Sequence, residues 1–182
     1  MLQSAGQWAL ERGLTNASLK SPDSIPAERR AEISKKRAAA DQAFREAAQR
    51  LRAVPAMKAG EKQIDNAERA FQAFEAFRAT VDENLASPGP GRTAELVEGL
   101  VPEITNLIEI AAIKLRLTLE TLTTPPTAAL SQLVGLRHLT AQMAENAGRE
   151  RAFLAGIIGA GGKLTADGVR KVSGFRGQVD LA

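Results

Sequence analysis

Two Glu-Arg pairs stand far apart in this chain of 182 residues, Glu11-Arg12 near its start and Glu150-Arg151 near its end. A guanidinium is permanently charged and presents a planar fork of donors that fits carboxylates and other planar anions. Gly13 lets a backbone or a ligand come close, and Asn16, one turn on, offers an amide to the same helix face. Downstream, Arg37-Asp41 and Arg176-Asp180 each have a separation of four, which places both members on one face of a helix. Arg37 falls on an apolar seam, where an unpaired charge is costly, so Asp41 or Glu11 should partner it.

These residues recur in register. A shift of 139 positions lays Glu11-Arg12 on Glu150-Arg151, and the alignment then runs without a gap. Leu14 meets Phe153, Leu19 meets Ile158, Ile25 meets Leu164, Ile33-Ser34 meets Val172-Ser173, Arg37 meets Arg176 and Asp41 meets Asp180. Each copy reads as a helix carrying Glu-Arg, a break rich in Pro or Gly, and a second helix carrying Ser, Arg and Asp. Two equivalent networks should therefore link the Glu-Arg helices to the Arg-Asp helices. Such self-similarity marks a repeated supersecondary unit.

Helices must position all of these groups. Ala, Leu, Glu, Arg and Gln dominate, aromatics are 4%, and no alternating Val/Ile/Thr run bounded by turns appears. The first helix spans about 2–20 and stops at Ser21-Pro22-Asp23-Ser24-Ile25-Pro26. The second, about 26–53, carries the seam Ile33, Arg37, Ala40, Phe44, Ala47, Leu51 and Val54. The third, about 61–86, repeats that spacing with Ile64, Ala67, Phe71, Phe74, Arg78, Val81 and Leu85. Phe71, Phe74 and Phe77 read as core. After Ser87-Pro88-Gly89-Pro90-Gly91, the fourth helix, about 93–123, is the most apolar, and Pro102 should kink or divide it. Thr124-Pro125-Pro126 stops it and starts a fifth helix with Thr124 as cap, ending at Gly159-Ala160-Gly161-Gly162; Thr165 caps the sixth. The fold class is all-α, an elongated antiparallel up-down bundle of about six helices with an internal pseudo-repeat.

Several chemistries are disfavoured. Cysteine is absent and His138 is the single histidine, so metal, haem and other cofactor sites are not expected. The 24 basic and 21 acidic residues are spread along every helix, which is a solvated surface rather than a nucleic-acid stripe. Gly159-Ala160-Gly161-Gly162 follows no strand and reads as a helix stop. Glu109 and Glu120 lie on an apolar helix without a matching base, so no catalytic constellation emerges and the chain is not expected to be an enzyme.

Glu11-Arg12-Gly13-Leu14 and Gly148-Arg149-Glu150-Arg151-Ala152, with terminal helices that lack stop signals, resemble the nitrate- and nitrite-sensing type of bacterial sensor domain. Such domains occur in methyl-accepting chemotaxis receptors and related signalling proteins. The resemblance covers 5–41 and 144–182 best. It implies one sensor domain over 1–182, excised from between two transmembrane helices, periplasmic and attached to the inner membrane through its flanks. It implies a homodimer with the first helices paired, and signalling by small helix displacements. It also implies that Arg12, with Gly13, Asn16 and Arg151, binds a small molecule or inorganic anion such as nitrate. The competing reading makes Arg12 and Arg151 carboxylate-paired struts, as Arg37, Asp41, Arg176 and Asp180 are expected to be. The alternative function is a cytosolic helical scaffold or adaptor that binds another protein through an apolar groove on the fourth helix.

Overall fold

The computed structural model describes residues 1–122 and 127–181. Its helices are α1 (Leu2–Lys20), α2 (Ala27–Ala53), α3 (Glu61–Ala86), α4 (Ala94–Ile108), α5 (Leu115–Thr121), α6 (Ala128–Gly159) and α7 (Ala166–Asp180). No strand occurs among the described residues. A π-helical segment, Glu109–Lys114, joins α4 to α5 without a break. The chain runs up and down through the bundle, and α6, with 32 residues, is about 48 Å long.

Local chemistry accounts for most boundaries. Pro22 and Pro26 separate α1 from α2, and Glu28 sits in the first turn of α2, where the helix dipole favours an acid. Pro102 lies inside α4 and does not divide it. The departure from α-helical geometry comes later, as the wide turn at Glu109–Lys114. The expected cap Thr124 lies outside the described residues. Thr127 caps α6 instead, its hydroxyl accepting from the Leu130 amide, and Thr165 caps α7 by accepting from Gly168. Gly161, at φ 62°, turns the chain after α6 as only glycine does readily.

The core is aromatic on one side of α1. Trp8, Phe44 and Phe71 meet with ring centroids 4.8 to 6.0 Å apart, so three helices share one cluster. Every expected seam residue of α3 is buried, Arg78 included. Burying each of these large side chains contributes roughly 1.5–3 kcal/mol against the ordering entropy of the chain.

On its other side α1 meets α6, and the two run parallel. Ala9 and Arg12 lie against Gly148, Gly13 against Ala152, Asn16 against Gly156, and Ala17 against Gly159. Small residues spaced by four form the seam: Ala5, Ala9, Gly13 and Ala17 on α1, and Ala144, Gly148, Ala152 and Gly156 on α6. These positions correspond under the 139-residue shift. The two repeats thus pack in register against each other, and each holds its own antiparallel mate, α2 or α7. Backbones approach so closely that a Cβ at Gly159 would stand 2.2 Å from the Ala17 carbonyl oxygen.

Candidate functional site

α1 is enclosed by α2, α3, α4 and α6, and its buried face is largely polar: Ser4, Glu11, Arg12, Thr15, Asn16 and Ser18 are all shielded from solvent. A helix buried on nearly all sides would ordinarily be apolar throughout. Polar side chains at its centre need partners, and those partners define two charged clusters.

The first cluster surrounds Glu11, 1% exposed, whose carboxylate accepts from two arginines. Arg37 donates through Nε at 2.8 Å, and Arg78 through Nε at 2.9 Å and Nη2 at 2.6 Å. Arg78 also grips Asp41 at 2.8 and 2.9 Å, and Arg37 grips Asp82 at 2.7 and 2.8 Å. Burial works against the charge on Arg78, but the hydrogen bonds and charges of Glu11 and Asp41 outweigh it and raise its pKa. Arg37 is therefore partnered across helices by Glu11. Asp41, its neighbour on α2, turns to Arg78 of α3.

The second copy preserves the first bond of this network. Arg176 donates to Glu150 at 2.9 Å, the counterpart of Arg37 and Glu11, and this carboxylate raises its pKa. Asp180 adds a weaker favourable charge. Arg176 remains largely solvated, because α7 packs chiefly on α6 and, among the described residues, no counterpart of α3 covers it.

The second cluster surrounds Arg12, which has no solvent exposure. Its Nη1 donates to Glu145 at 2.8 Å and to the Thr105 hydroxyl at 2.9 Å, and its Nη2 donates to Glu145 at 3.3 Å. Arg149, one turn on from Glu145, donates to the same carboxylate at 2.8 Å. The Nε of Arg12 is buried without a partner among the described residues. Gly148 lies beside it: a Cβ built there would be 3.1 Å from Arg12 Nη2 and 3.9 Å from Arg151 Nη2. Two guanidiniums thus flank one point on the α1–α6 seam.

Of the expected site residues, Arg12 and Arg151 converge on Gly148, Arg12 from inside and Arg151 from the surface. Asn16 donates to the Ala152 carbonyl at 2.8 Å, and its own buried oxygen has no partner among the described residues. With Thr105 and Arg149, it lines a cleft of about 1000 Å³ into which Lys20, Lys163 and Lys171 also face. Gly13 abuts Ala152 and, with Arg151, borders a separate cavity of about 480 Å³.

Glu145, Thr105 and Arg92 carry roles that sequence reasoning missed. The Glu145–Arg149 spacing of four was a usable signal; Thr105 had none. Arg92 donates to the carbonyls of Ser18 at 2.8 Å, Leu19 at 2.9 Å and Asp23 at 2.9 Å, closing the end of α1, and burial lowers its pKa. Arg78 holds a seam position on α3 as Arg37 does on α2. His138 bonds Arg116 through Nδ1 at 2.9 Å. Among the described residues no cluster of His, Cys, Asp or Glu could hold a metal, and no helix is long and apolar enough to cross a membrane.

A family model described as nitrate and nitrite sensing matches residues 5–182, which takes in both Glu-Arg helices and everything between them. No curated protein and no solved structure matches the chain.

Proposed function

The chain belongs to the nitrate- and nitrite-sensing family, and on that premise we propose that it is the extracytoplasmic ligand-binding domain of a bacterial transmembrane chemoreceptor or similar signal transducer. The family is a sensing one, which supports reading the chain as a sensor domain. The domain takes in 1–182 and is attached to the inner membrane through flanking segments.

One observation carries the proposed site: a wholly buried arginine with an unspent N–H. Arg12 grips Glu145 through its terminal nitrogens and keeps Nε free. Nitrate at that edge would meet Nε–H and an Nη2–H together, the bidentate geometry that suits a planar anion. Arg12 and Arg149 against Glu145 leave one positive charge in excess, and a monoanion neutralises it where an unpaired charge is costly. Arg151 closes the site from the surface side of Gly148. The lysines of the cleft beside Thr105 and Asn16 draw anions toward it.

Space is tight at Gly148, where a Cβ would already lie 3.4 Å from the Ala9 methyl. Seating nitrate must therefore shift α1 against α6, by a displacement on the order of 1–2 Å, typical of helix-based switches. That shift is the proposed signal. Because α1 is enclosed within its own chain, the exposed Leu130, Leu133, Leu136, Leu139 and Met143 favour a homodimer that pairs along α6 rather than through the first helices. The same row is what favours the adaptor reading, in which another protein covers it; the groove expected on the fourth helix is taken up by the core instead.

Calorimetric titration with nitrate, nitrite, chloride and sulfate tests the site. Arg12→Lys keeps the charge and removes the fork, and should weaken nitrate binding at least about tenfold in a chain that still folds. Full affinity in that variant would remove the site from Arg12.

A further inference from the structure

The proposed anion site leaves a second cavity unused. It measures about 340 Å³, within the range of small-molecule pockets, and lies between α1, the π-helical segment and the first half of α6. Gly6, Ala9, Ile108, Ala112, Ile113 and Ala144 make it an apolar box. The π turn forms part of its wall, and such turns frequently occur at functional sites.

Two guanidiniums face this box, those of Arg116 and Arg137. Arg116 is only 7% exposed and is held from two sides, by Glu120 at 3.2 Å and by His138 Nδ1 at 2.9 Å. Its Nε is buried and has no partner among the described residues. Arg137 shares Glu120 with it, so this pair of arginines carries one positive charge in excess. Glu145 also borders the cavity, but Arg12 and Arg149 already compensate it. The cavity therefore offers an apolar volume bordered by two guanidiniums that share one carboxylate. An anionic oxygen that reaches them gains charge-assisted hydrogen bonds.

We propose that this cavity is a second ligand site, for a compact aliphatic monocarboxylate whose carboxylate meets Arg116 and whose chain fills the space between Ala9, Ile108 and Ile113. Nitrate has no apolar body to fill that volume, and a neutral alcohol would leave the cation unanswered. The site thus selects a different chemical class from the one assigned to Arg12.

The test is calorimetric titration of the 182-residue chain with hexanoate, hexan-1-ol and nitrate. Hexanoate should bind, with hexan-1-ol weaker by at least about tenfold. Gly6→Leu fills the cavity from a position where an added Cβ meets nothing within 4 Å, so that variant should fold and lose hexanoate while its nitrate titration is unchanged. Arg116→Met should weaken hexanoate by about tenfold and narrow its advantage over hexan-1-ol. No hexanoate binding to the unaltered chain overturns the proposal, and so does equal binding of hexan-1-ol. Undiminished hexanoate binding in a folded Gly6→Leu chain also overturns it. Hexanoate binding without any nitrate response would uphold this site and count against the one at Arg12.

Discussion

The two repeats supply a controlled experiment on what enclosure does to a charge. Glu11 and Glu150 occupy equivalent positions, and each accepts a hydrogen bond from the arginine 26 residues on, at 2.8 and 2.9 Å. What differs is the third helix. α3 closes over Glu11 and brings Arg78, while Glu150 faces an Arg176 that is 63% exposed. Glu11→Gln keeps the shape, removes the charge, and turns an acceptor oxygen into a donor that faces guanidinium nitrogens. Breaking a buried pair costs about 3–5 kcal/mol, and Arg37 and Arg78 keep Asp82 and Asp41, so the lower end applies, roughly 3 kcal/mol. For a chain of this length that lowers Tm by about 6–12 °C. Glu150→Gln should move Tm by no more than about 2 °C, an effect that fades at high salt. Thermal and urea unfolding followed by circular dichroism and by the single tryptophan, Trp8, read both variants, because that ring is fully buried in the aromatic cluster. Equal losses in the two variants would refute the argument, since the local pairing is shared and only the cover of α3, with the Arg78 it brings, differs.

Three further perturbations probe how α1 is held. Gly159→Ala places a Cβ 2.2 Å from the Ala17 carbonyl oxygen, a backbone atom that cannot swing aside, so the variant should lose at least about 2 kcal/mol in urea unfolding. Gly6→Ala, with open space at the new methyl, should gain roughly 0.5–1 kcal/mol from helix propensity alone. Arg92→Ala strips the carbonyls of Ser18, Leu19 and Asp23 of their shared donor and should cost about 1–3 kcal/mol. In hydrogen exchange, the last turn of α1 should open before the rest of that helix.

The geometry of the seam on which the proposed site lies also explains the choice of small residues. Glycines and alanines at a spacing of four allow α1 and α6 to approach until Gly13 abuts the Ala152 backbone, and that proximity brings Arg12 beneath Gly148. A larger residue at Gly148 would meet Arg12 Nη2 first. The seam is therefore both the packing surface and the place of the proposed site, and a molecule bound there would press on both repeats.

What the sequence determined by itself is the part governed by local periodicity. The seam of α3 from Ile64 to Leu85 follows from spacing alone, because a helix with an apolar stripe has one way to bury it. The breaks at Ser21–Pro26 and around Gly89 follow from proline and glycine, and the register of the repeat follows from matched positions. The repeat also pointed to two networks that link the Glu-Arg helices to the Arg-Asp helices, with Glu11 and Asp41 both open as partners of Arg37, and the structure chose Glu11 there and Glu150 for Arg176. Only the tertiary structure decided which charges meet across helices. Asp41 was in reach of Arg37 on its own helix, yet it bonds Arg78, because a carboxylate that helps compensate a cation enclosed by the core gains more than one that stays paired at the surface. Arg12 met Glu145 for the same reason, across 133 positions with no pattern to announce it. α1 became the centre of the bundle although it is neither the longest nor the most apolar helix, because two repeats closed on their small residues and left its polar face inside.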